Sequence, residues 1–150
     1  LTAAAPATTA RGLTPSSVFV RIRPVATTSG HTAGEPVRKK LWAWDERTVT
    51  VQDDDLREKT KFEFTRVVPP DCDQEQTFNA TVPELLEAFT RDTNVLFFAY
   101  GQTGSGKTHT LLGEIESLAS AEPVPGWGIF PRIVHFTLET MRAWRAAGIH

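Results

Sequence analysis

A glycine-rich stretch at residues 101–108 holds the side chains best suited to chemistry. It reads GQTGSGKT and matches the phosphate-loop pattern G-x-x-x-x-G-K-[ST] at every fixed position. Gly101, Gly104 and Gly106 let the backbone adopt positive φ and approach a phosphate without a Cβ clash. Successive N–H groups can then point inward as an anion nest, and the start of a following helix adds partial positive charge. The stretch predicts a nucleoside triphosphate site.

Two side chains of the loop have distinct predicted roles. Lys107 supplies a point charge for the β- and γ-phosphates, and the Thr108 hydroxyl is a hard oxygen ligand for Mg²⁺. The predicted cofactors are therefore ATP and Mg²⁺, with Thr108 as the metal ligand. The predicted phosphate-binding residues are Gly101, Gln102, Thr103, Gly104, Ser105, Gly106, Lys107 and Thr108.

The segments on either side of the loop must position it. Residues 94–100, NVLFFAY, are apolar nearly throughout and predict a strand buried on both faces of a central parallel sheet. A helix is expected from about Gly106 to about Leu112. A chance match to the loop pattern is the alternative, but the strand–loop–helix order is the context that phosphate binding requires. The order predicts an α/β fold of the P-loop NTPase type, with a central β-sheet flanked by helices.

Alternation of apolar and polar residues predicts further strands. Residues 17–24, SVFVRIRP, have period 2 and end at Pro24, which lacks a backbone donor. Residues 41–52 predict a hairpin that turns at residues 45–47. Residues 61–68, KFEFTRVV, predict one more strand.

Helical signals follow in the second half of the chain. Asp73 and Gln76 have capping-box spacing, and apolar residues continue at helical intervals to Phe89. Pro83 lies inside this helix, so a kink or a restart is expected there. Residues 113–126 predict a long acidic loop, followed by a helix with Pro131 in its first turn and mostly buried apolar residues. The four tryptophans, Trp42, Trp44, Trp127 and Trp144, are interpreted as packing residues.

Composition limits the classes of function. The 150 residues are 40% hydrophobic and 23% charged, as in an ordinary globular protein with room for one core. A net charge of −2 gives no electrostatic argument for nucleic acid, and no apolar run approaches the ~20 residues of a membrane span. The single cysteine, Cys72, cannot form an internal disulfide. Residues 1–16 are interpreted as a disordered leader.

Together the flanking segments resemble the kinesin motor domain, the ATPase that moves along or remodels microtubules. The resemblance rests on YGQTGSGKTHTL, the upstream VRIRP, the downstream GIFPRIV and the segment FEFTRVVPPDCDQEQTFN. It covers residues 17–150, although Val68 stands where the family usually has an aromatic residue. The resemblance implies the kinesin motor fold, ATP hydrolysis with Mg²⁺, microtubules (tubulin) as partner, and a cytoplasmic, cytoskeletal location without nucleic acid or membrane.

The resemblance also implies contacts to the base. Arg21 and Pro24 match family positions that flank the adenine ring, and His109 matches a residue that stacks on it. A guanidinium, a proline ring and an imidazole can enclose a flat heterocycle. Without the resemblance, Arg21 would be a solvated strand residue, Pro24 a strand stop and His109 a helix-surface histidine.

Two family segments are missing from the sequence. Kinesins sense the γ-phosphate and position water with Asn-x-x-Ser-Ser-Arg-Ser-His and Asp-Leu-Ala-Gly, and neither occurs between Thr108 and His150. Residues 17–150 are therefore interpreted as the N-terminal part of a motor domain, without catalytic residues and inactive alone. Microtubule contacts are expected in segments beyond it. The alternatives are another P-loop nucleotide switch, or a truncated, non-hydrolysing half-motor that acts as an interaction module.

Overall fold

The structure is a computed structural model that describes residues 17–24, 39–53, 59–91 and 93–148. The predicted leader, residues 1–16, lies outside the described residues. The chain divides into two compact units, Leu1–Pro70 and Asp71–His150. The first unit contains the strands and the second contains the helices and the glycine loop.

A two-stranded parallel sheet in the first unit contains β1, Phe19–Arg21, and β5, Arg66–Val68. The Ile22 N–H donates to the Val68 carbonyl at 2.9 Å and extends the pairing by one residue. Val67 and Val68 are 4% and 1% exposed, so β5 carries the buried face. The predicted first strand is confirmed, and it ends before Pro24.

A second sheet is antiparallel and contains β2, Lys39–Trp44, β3, Thr48–Asp53, and β4, Lys59–Glu63. The predicted hairpin is confirmed, and Asp45 explains its turn. Asp45 Oδ1 accepts hydrogen bonds from the backbone N–H groups of Arg47 and Thr48 at 2.9 and 2.8 Å. Asp45 Oδ2 accepts from the Thr48 hydroxyl, and this bond, followed by the two backbone bonds, lowers the pKa of the Asp45 carboxyl.

The single strand predicted over residues 61–68 is wrong in one respect, because the segment forms parts of two sheets. β4 ends at Glu63, and the next two N–H groups pair elsewhere: Phe64 donates to Arg47 and Thr65 to Val18, both at 2.8 Å. The chain therefore leaves β3 and joins β1 within two residues. Alternation holds only as far as Phe64, since Thr65 and Arg66 are both polar and Val67 and Val68 are both apolar, but the pattern alone does not show which strands each part pairs with.

The second unit begins with two short helices, α1 at Gln74–Thr81 and α2 at Pro83–Thr90. The predicted capping box is confirmed: Asp73 Oδ1 accepts from the Gln76 N–H at 2.7 Å, and Gln76 Oε1 accepts from the Asp73 N–H at 2.9 Å. The predicted restart at Pro83 is confirmed as well. Proline occupies the first turn of α2, where its missing N–H costs no hydrogen bond.

Two further helices follow, α3 at Lys107–Leu111 and α4 at Ile129–Ala146, with a short 3₁₀ helix at Ile115–Ala119 between them. α3 and α4 confirm the two predicted helices. The core of the unit is a cluster of Val82, Leu86 and Ile129, with the half-buried Phe78, Phe97 and Ile133 packed against it. None of the helices in the described ranges is long and apolar enough to cross a membrane.

The segment 94–100 differs from its prediction. It contains no strand residue, and within the described part of the chain its backbone makes no hydrogen bond. Phe97 packs on the core cluster, whereas Leu96, Phe98 and Tyr100 are 83%, 73% and 84% exposed. The segment is therefore covered on one side only. An apolar sequence shows that a strand can be buried, but burial also requires neighbouring strands.

The predicted burial of apolar residues on α4 is also wrong. Ile129 is buried, but five of the later apolar residues are exposed: Val134, Phe136, Leu138, Met141 and Trp144. The predictions for the tryptophans divide in the same way. Trp127 is 5% exposed and packs as predicted, whereas Trp44 and Trp144 are exposed and the Trp42 side chain lies outside the described residues.

Candidate nucleotide-binding site

The glycine loop at residues 101–106 joins the extended segment to α3. Gly104 and Gly106 have φ of 78° and 94°, the left-handed region that a residue with a Cβ rarely adopts. Between them the Ser105 N–H donates to the Gln102 carbonyl at 3.2 Å, which closes a tight turn. Gly106 is the N-cap of α3, so the left-handed residue lies immediately before Lys107.

Lys107 spans the loop that precedes it. Its Nζ donates to the carbonyl oxygens of Gly101 and Gln102, each at 2.8 Å. The half-buried lysine therefore places its ammonium group at the glycine loop rather than in open solvent. α3 has only five residues, so its dipole adds little and the lysine is the main source of positive charge here.

Thr108 follows Lys107 and is exposed at the start of α3. Its hydroxyl is accessible to a cation. Within the part of the chain that the structure describes, no group of three His, Cys, Asp or Glu side chains could hold a metal ion. A Mg²⁺ ion at this site would therefore depend on the Thr108 hydroxyl, on phosphate oxygens and on water, which is an ordinary ligand set for that ion.

The three residues predicted to contact the base lie in different units. Arg21 ends β1 and is half-buried, and Pro24 is exposed three residues later. His109 lies in α3, in the second unit, and its side chain is exposed.

One residue beside His109 was not predicted to have a function. Gln74, the first residue of α1, is only 6% exposed, and its Nε2 donates to the His109 carbonyl at 2.7 Å. In the sequence, Gln74 follows a helix cap, which is typical of a solvated position. The contact joins residues 35 positions apart, so no local pattern could indicate it.

An apolar cavity of about 510 Å³ lies beside α3. Lys107 and Thr108 contribute to its wall, but the other lining residues are apolar: Phe97, Ala99, Leu111, Leu112, Ile129, Phe130 and Ile133. A phosphate would gain no hydrogen bonds from this apolar wall, so we assign anion binding to the glycine loop and not to the cavity.

A close backbone contact connects α3 to the start of α4. Gly113 pairs with Trp127 in an antiparallel bridge, the Glu114 N–H donates to the Gly126 carbonyl at 2.9 Å, and the Gly128 N–H donates to the Leu112 carbonyl at 3.0 Å. We call this contact the α3–α4 junction, and it comprises residues 112–114 and 126–129.

Side chains support the junction. The indole Nε1 of Trp127 donates to the Ser117 carbonyl at 2.8 Å, and the guanidinium of Arg132 donates to the carbonyls of Trp127 and Val124, both at 3.1 Å. The long loop between α3 and α4 therefore begins and ends at the junction. The acidic residues of this loop are exposed: Glu114, Glu116 and Glu122.

The site has the features of the P-loop class of nucleotide-binding proteins: an extended apolar segment, a glycine loop closed by a lysine, and a helix that starts at that lysine.

Comparison with known proteins refines this class. A sequence model of the kinesin motor domain matches residues 21–147. Protein claret segregational of Drosophila melanogaster is 34% identical over 137 residues, which cover 87% of this chain and 17% of that protein. Kinesin-like protein KIN-12D of Arabidopsis thaliana is 40% identical over 85 residues, covering 57% of this chain and 3% of that protein.

A solved structure, described as that of a fast kinesin, supports the same assignment. It superposes with a TM-score of 0.60 at 29% identity and covers 79% of this chain and 31% of the solved chain. The chain belongs to the kinesin motor domain family. The predicted α/β fold of the kinesin type is confirmed, and the chain spans 17% or less of the two curated relatives named above.

Proposed function

We propose that this chain is the ATP-binding portion of a microtubule motor ATPase. The observation that carries the proposal is the Lys107 ammonium, held at the glycine loop by two carbonyls in a chain of the kinesin motor domain family. A triphosphate bound there would replace these two carbonyl contacts with stronger, charge-assisted ones. The complete protein would hydrolyse ATP to move along or remodel microtubules in the cytoplasm.

The loop residues divide the work in this proposal. The backbone N–H groups of residues 101–106 hold phosphate oxygens, Lys107 neutralises their charge, and Thr108 binds Mg²⁺. The family resemblance assigns Arg21, Pro24 and His109 to contacts with the adenine ring. Stacking dominates this contact to the base, so selection of ATP over GTP should be modest.

Hydrolysis would require groups that this chain does not supply. None of the residues between Thr108 and Gly148 is an evident candidate to orient water in line with the γ-phosphate, because Glu114 and Glu116 lie beyond Gly113, about two turns past Lys107. We infer that the chain by itself binds nucleotide without turnover and that microtubule contacts lie in other segments. A non-hydrolysing interaction module would share this behaviour, so binding and turnover must be measured separately.

Removal of the lysine charge tests the binding site. Lys107→Ala in the full 150-residue chain should lower the affinity for a fluorescent ATP analogue by roughly 30- to 150-fold. This factor corresponds to the loss of about 2–3 kcal/mol of binding free energy from charge-assisted hydrogen bonds. Lys61→Ala is the matched control, since it removes the same charge from an exposed position on β4. Equal affinity for the analogue in wild type and Lys107→Ala would remove Lys107 from the site.

Phosphate release tests the second part of the proposal. The 150-residue chain should release phosphate from ATP only at the background rate, with or without added microtubules. A rate that rises with microtubule concentration would show that the chain contains catalytic groups and microtubule contacts of its own.

A further inference from the structure

The side-chain amide of Gln74 makes two different contacts to His109. One N–H donates to the His109 carbonyl at 2.7 Å. The same Nε2 lies 3.2 Å from His109 Nδ1 and 3.4 Å from Nε2 of the ring. A glutamine amide has two N–H donors, so one can bind the carbonyl while the other faces the imidazole.

The two ring distances show where the amide lies. A nitrogen almost equally far from Nδ1 and Nε2 cannot lie in the ring plane at this distance, because the Cε1–H group between them would be in the way. The amide therefore lies over one face of the His109 imidazole, in the geometry of an N–H···π contact. Since the His109 side chain is exposed, the opposite face is open to a partner.

Gln74 is itself firmly placed. It is the first residue of α1, next to the Asp73–Gln76 capping box, and it is 6% exposed. Thr77, one turn later, is 1% exposed and donates its hydroxyl to the Asp73 carbonyl at 2.6 Å. An exposed histidine on a five-residue helix would otherwise change rotamer freely, whereas this ring rests against a fixed amide.

We propose that Gln74 is a positioning residue for base recognition. Its amide covers one face of the His109 ring and holds the other face ready to stack on a purine. The inference rests on the proposed function, because it requires His109 to contact the base. Pre-orientation of a side chain strengthens binding by removing the cost of ordering it in the complex.

The test compares ATP with inorganic tripolyphosphate, which has no base, as ligands of the full chain. Gln74→Met keeps a long side chain without the amide, and it should weaken ATP binding three- to tenfold while tripolyphosphate affinity stays within twofold. Gln52→Met is the matched control, since it makes the same substitution at a half-buried position of β3 and leaves the capping box of α1 intact. This control should leave the ratio of the two affinities unchanged.

A third variant separates the failure of this inference from the failure of the proposed function. His109→Ala should lower the same ratio, and adding Gln74→Met to it should have no further effect on the ratio. An unchanged ratio in His109→Ala would refute the base contact itself. A lowered ratio in His109→Ala but not in Gln74→Met would refute only the positioning role. If Gln74→Met lowered the affinities for ATP and for tripolyphosphate by the same factor, Gln74 would have a general role in the loop, and the proposal would be overturned.

A measurement on the wild-type chain covers the case in which Gln74→Met does not fold. In a nuclear magnetic resonance spectrum, the Gln74 side-chain amide protons should show a nuclear Overhauser effect to the His109 Cε1 proton. They should also be shifted upfield by the ring current of the imidazole. Absence of both signals in a folded sample would overturn the proposal.

Discussion

The α3–α4 junction and the segment 94–100 belong to the same unit and differ in how fully they are packed. In the junction, Trp127 and Ile129 are 5% and 2% exposed, and the Glu114 and Gly128 N–H groups have backbone acceptors. In the segment, Leu96, Phe98 and Tyr100 are more than 70% exposed although Leu96 and Phe98 are strongly apolar.

The difference lies in where each region finds its partners. The junction joins the two ends of one loop, so its backbone hydrogen bonds have their partners close by in the sequence. An extended segment can satisfy its backbone only through neighbouring strands, and parallel neighbours are a crossover of a dozen or more residues away. A region closed by local contacts should therefore be sensitive to mutation in this chain, whereas the outer face of the segment should tolerate it.

The largest expected effect is at Gly113. An added Cβ would lie 1.9 Å from the Gly126 carbonyl oxygen and 2.4 Å from the Gly128 nitrogen, and the residue has φ of +86°. Gly113→Ala should therefore lower the free energy of unfolding by about 4 kcal/mol, measured by urea denaturation. Gly148→Ala is the matched control: its φ is +72° but no atom lies within 4 Å of the new Cβ, so only about 1 kcal/mol should be lost. Equal losses in the two variants would contradict the close packing of the junction.

A second pair of variants compares a leucine of the packed core with a leucine of the exposed segment 94–100. Leu86 belongs to the core cluster and is 8% exposed, whereas Leu96 is 83% exposed. Leu86→Ser should cost about 3 kcal/mol in unfolding free energy, and Leu96→Ser should cost less than about 0.5 kcal/mol. Leu96→Ser should also raise the soluble fraction on expression, because it interrupts an exposed apolar edge. A large loss of stability in Leu96→Ser would show that the outer face is covered.

The smallest effect is expected at the Asp45 turn, which is closed locally like the junction but is fully exposed. Its carboxyl pKa is lowered in the folded chain, so the ionised form stabilises the fold at neutral pH. That contribution is lost as the pH falls through the folded-state pKa, where the carboxyl becomes protonated. Asp45→Asn should therefore lower the melting temperature slightly at pH 7 and not at all in strong acid. A difference in melting temperature between wild type and Asp45→Asn that stays constant from pH 7 to strong acid would contradict this role of the carboxyl.

The sequence predicted those features whose causes are local. The capping box, the restart at Pro83, the Asp45 turn and the conformations of Gly104 and Gly106 all follow from chemistry within a few residues. They could be predicted because the residues that form each sequence pattern are the same residues that make the contact.

Features that depend on distant contacts were missed or misjudged. The covering of residues 94–100 depends on neighbouring strands, and the switch between β4 and β5 depends on pairing with β1 and β3. The hydrogen bond from Gln74 depends on His109, 35 residues further along the chain. Burial in particular was overestimated for α4, because an apolar side chain can be buried but is buried only where another element packs against it. The roles of Arg21, Pro24 and His109 in binding a base remain predictions.

The meeting of the loop ends at the junction has a practical consequence for protein engineering. Because Gly113 and Trp127 are held together by backbone hydrogen bonds, the length of the chain between them is largely uncoupled from the phosphate loop. Each doubling of a flexible loop costs only about 0.6 kcal/mol in closure entropy. A peptide tag or a reporter domain inserted near the exposed Ala121 would therefore extend outward from a fixed base, and it should leave the phosphate loop undisturbed.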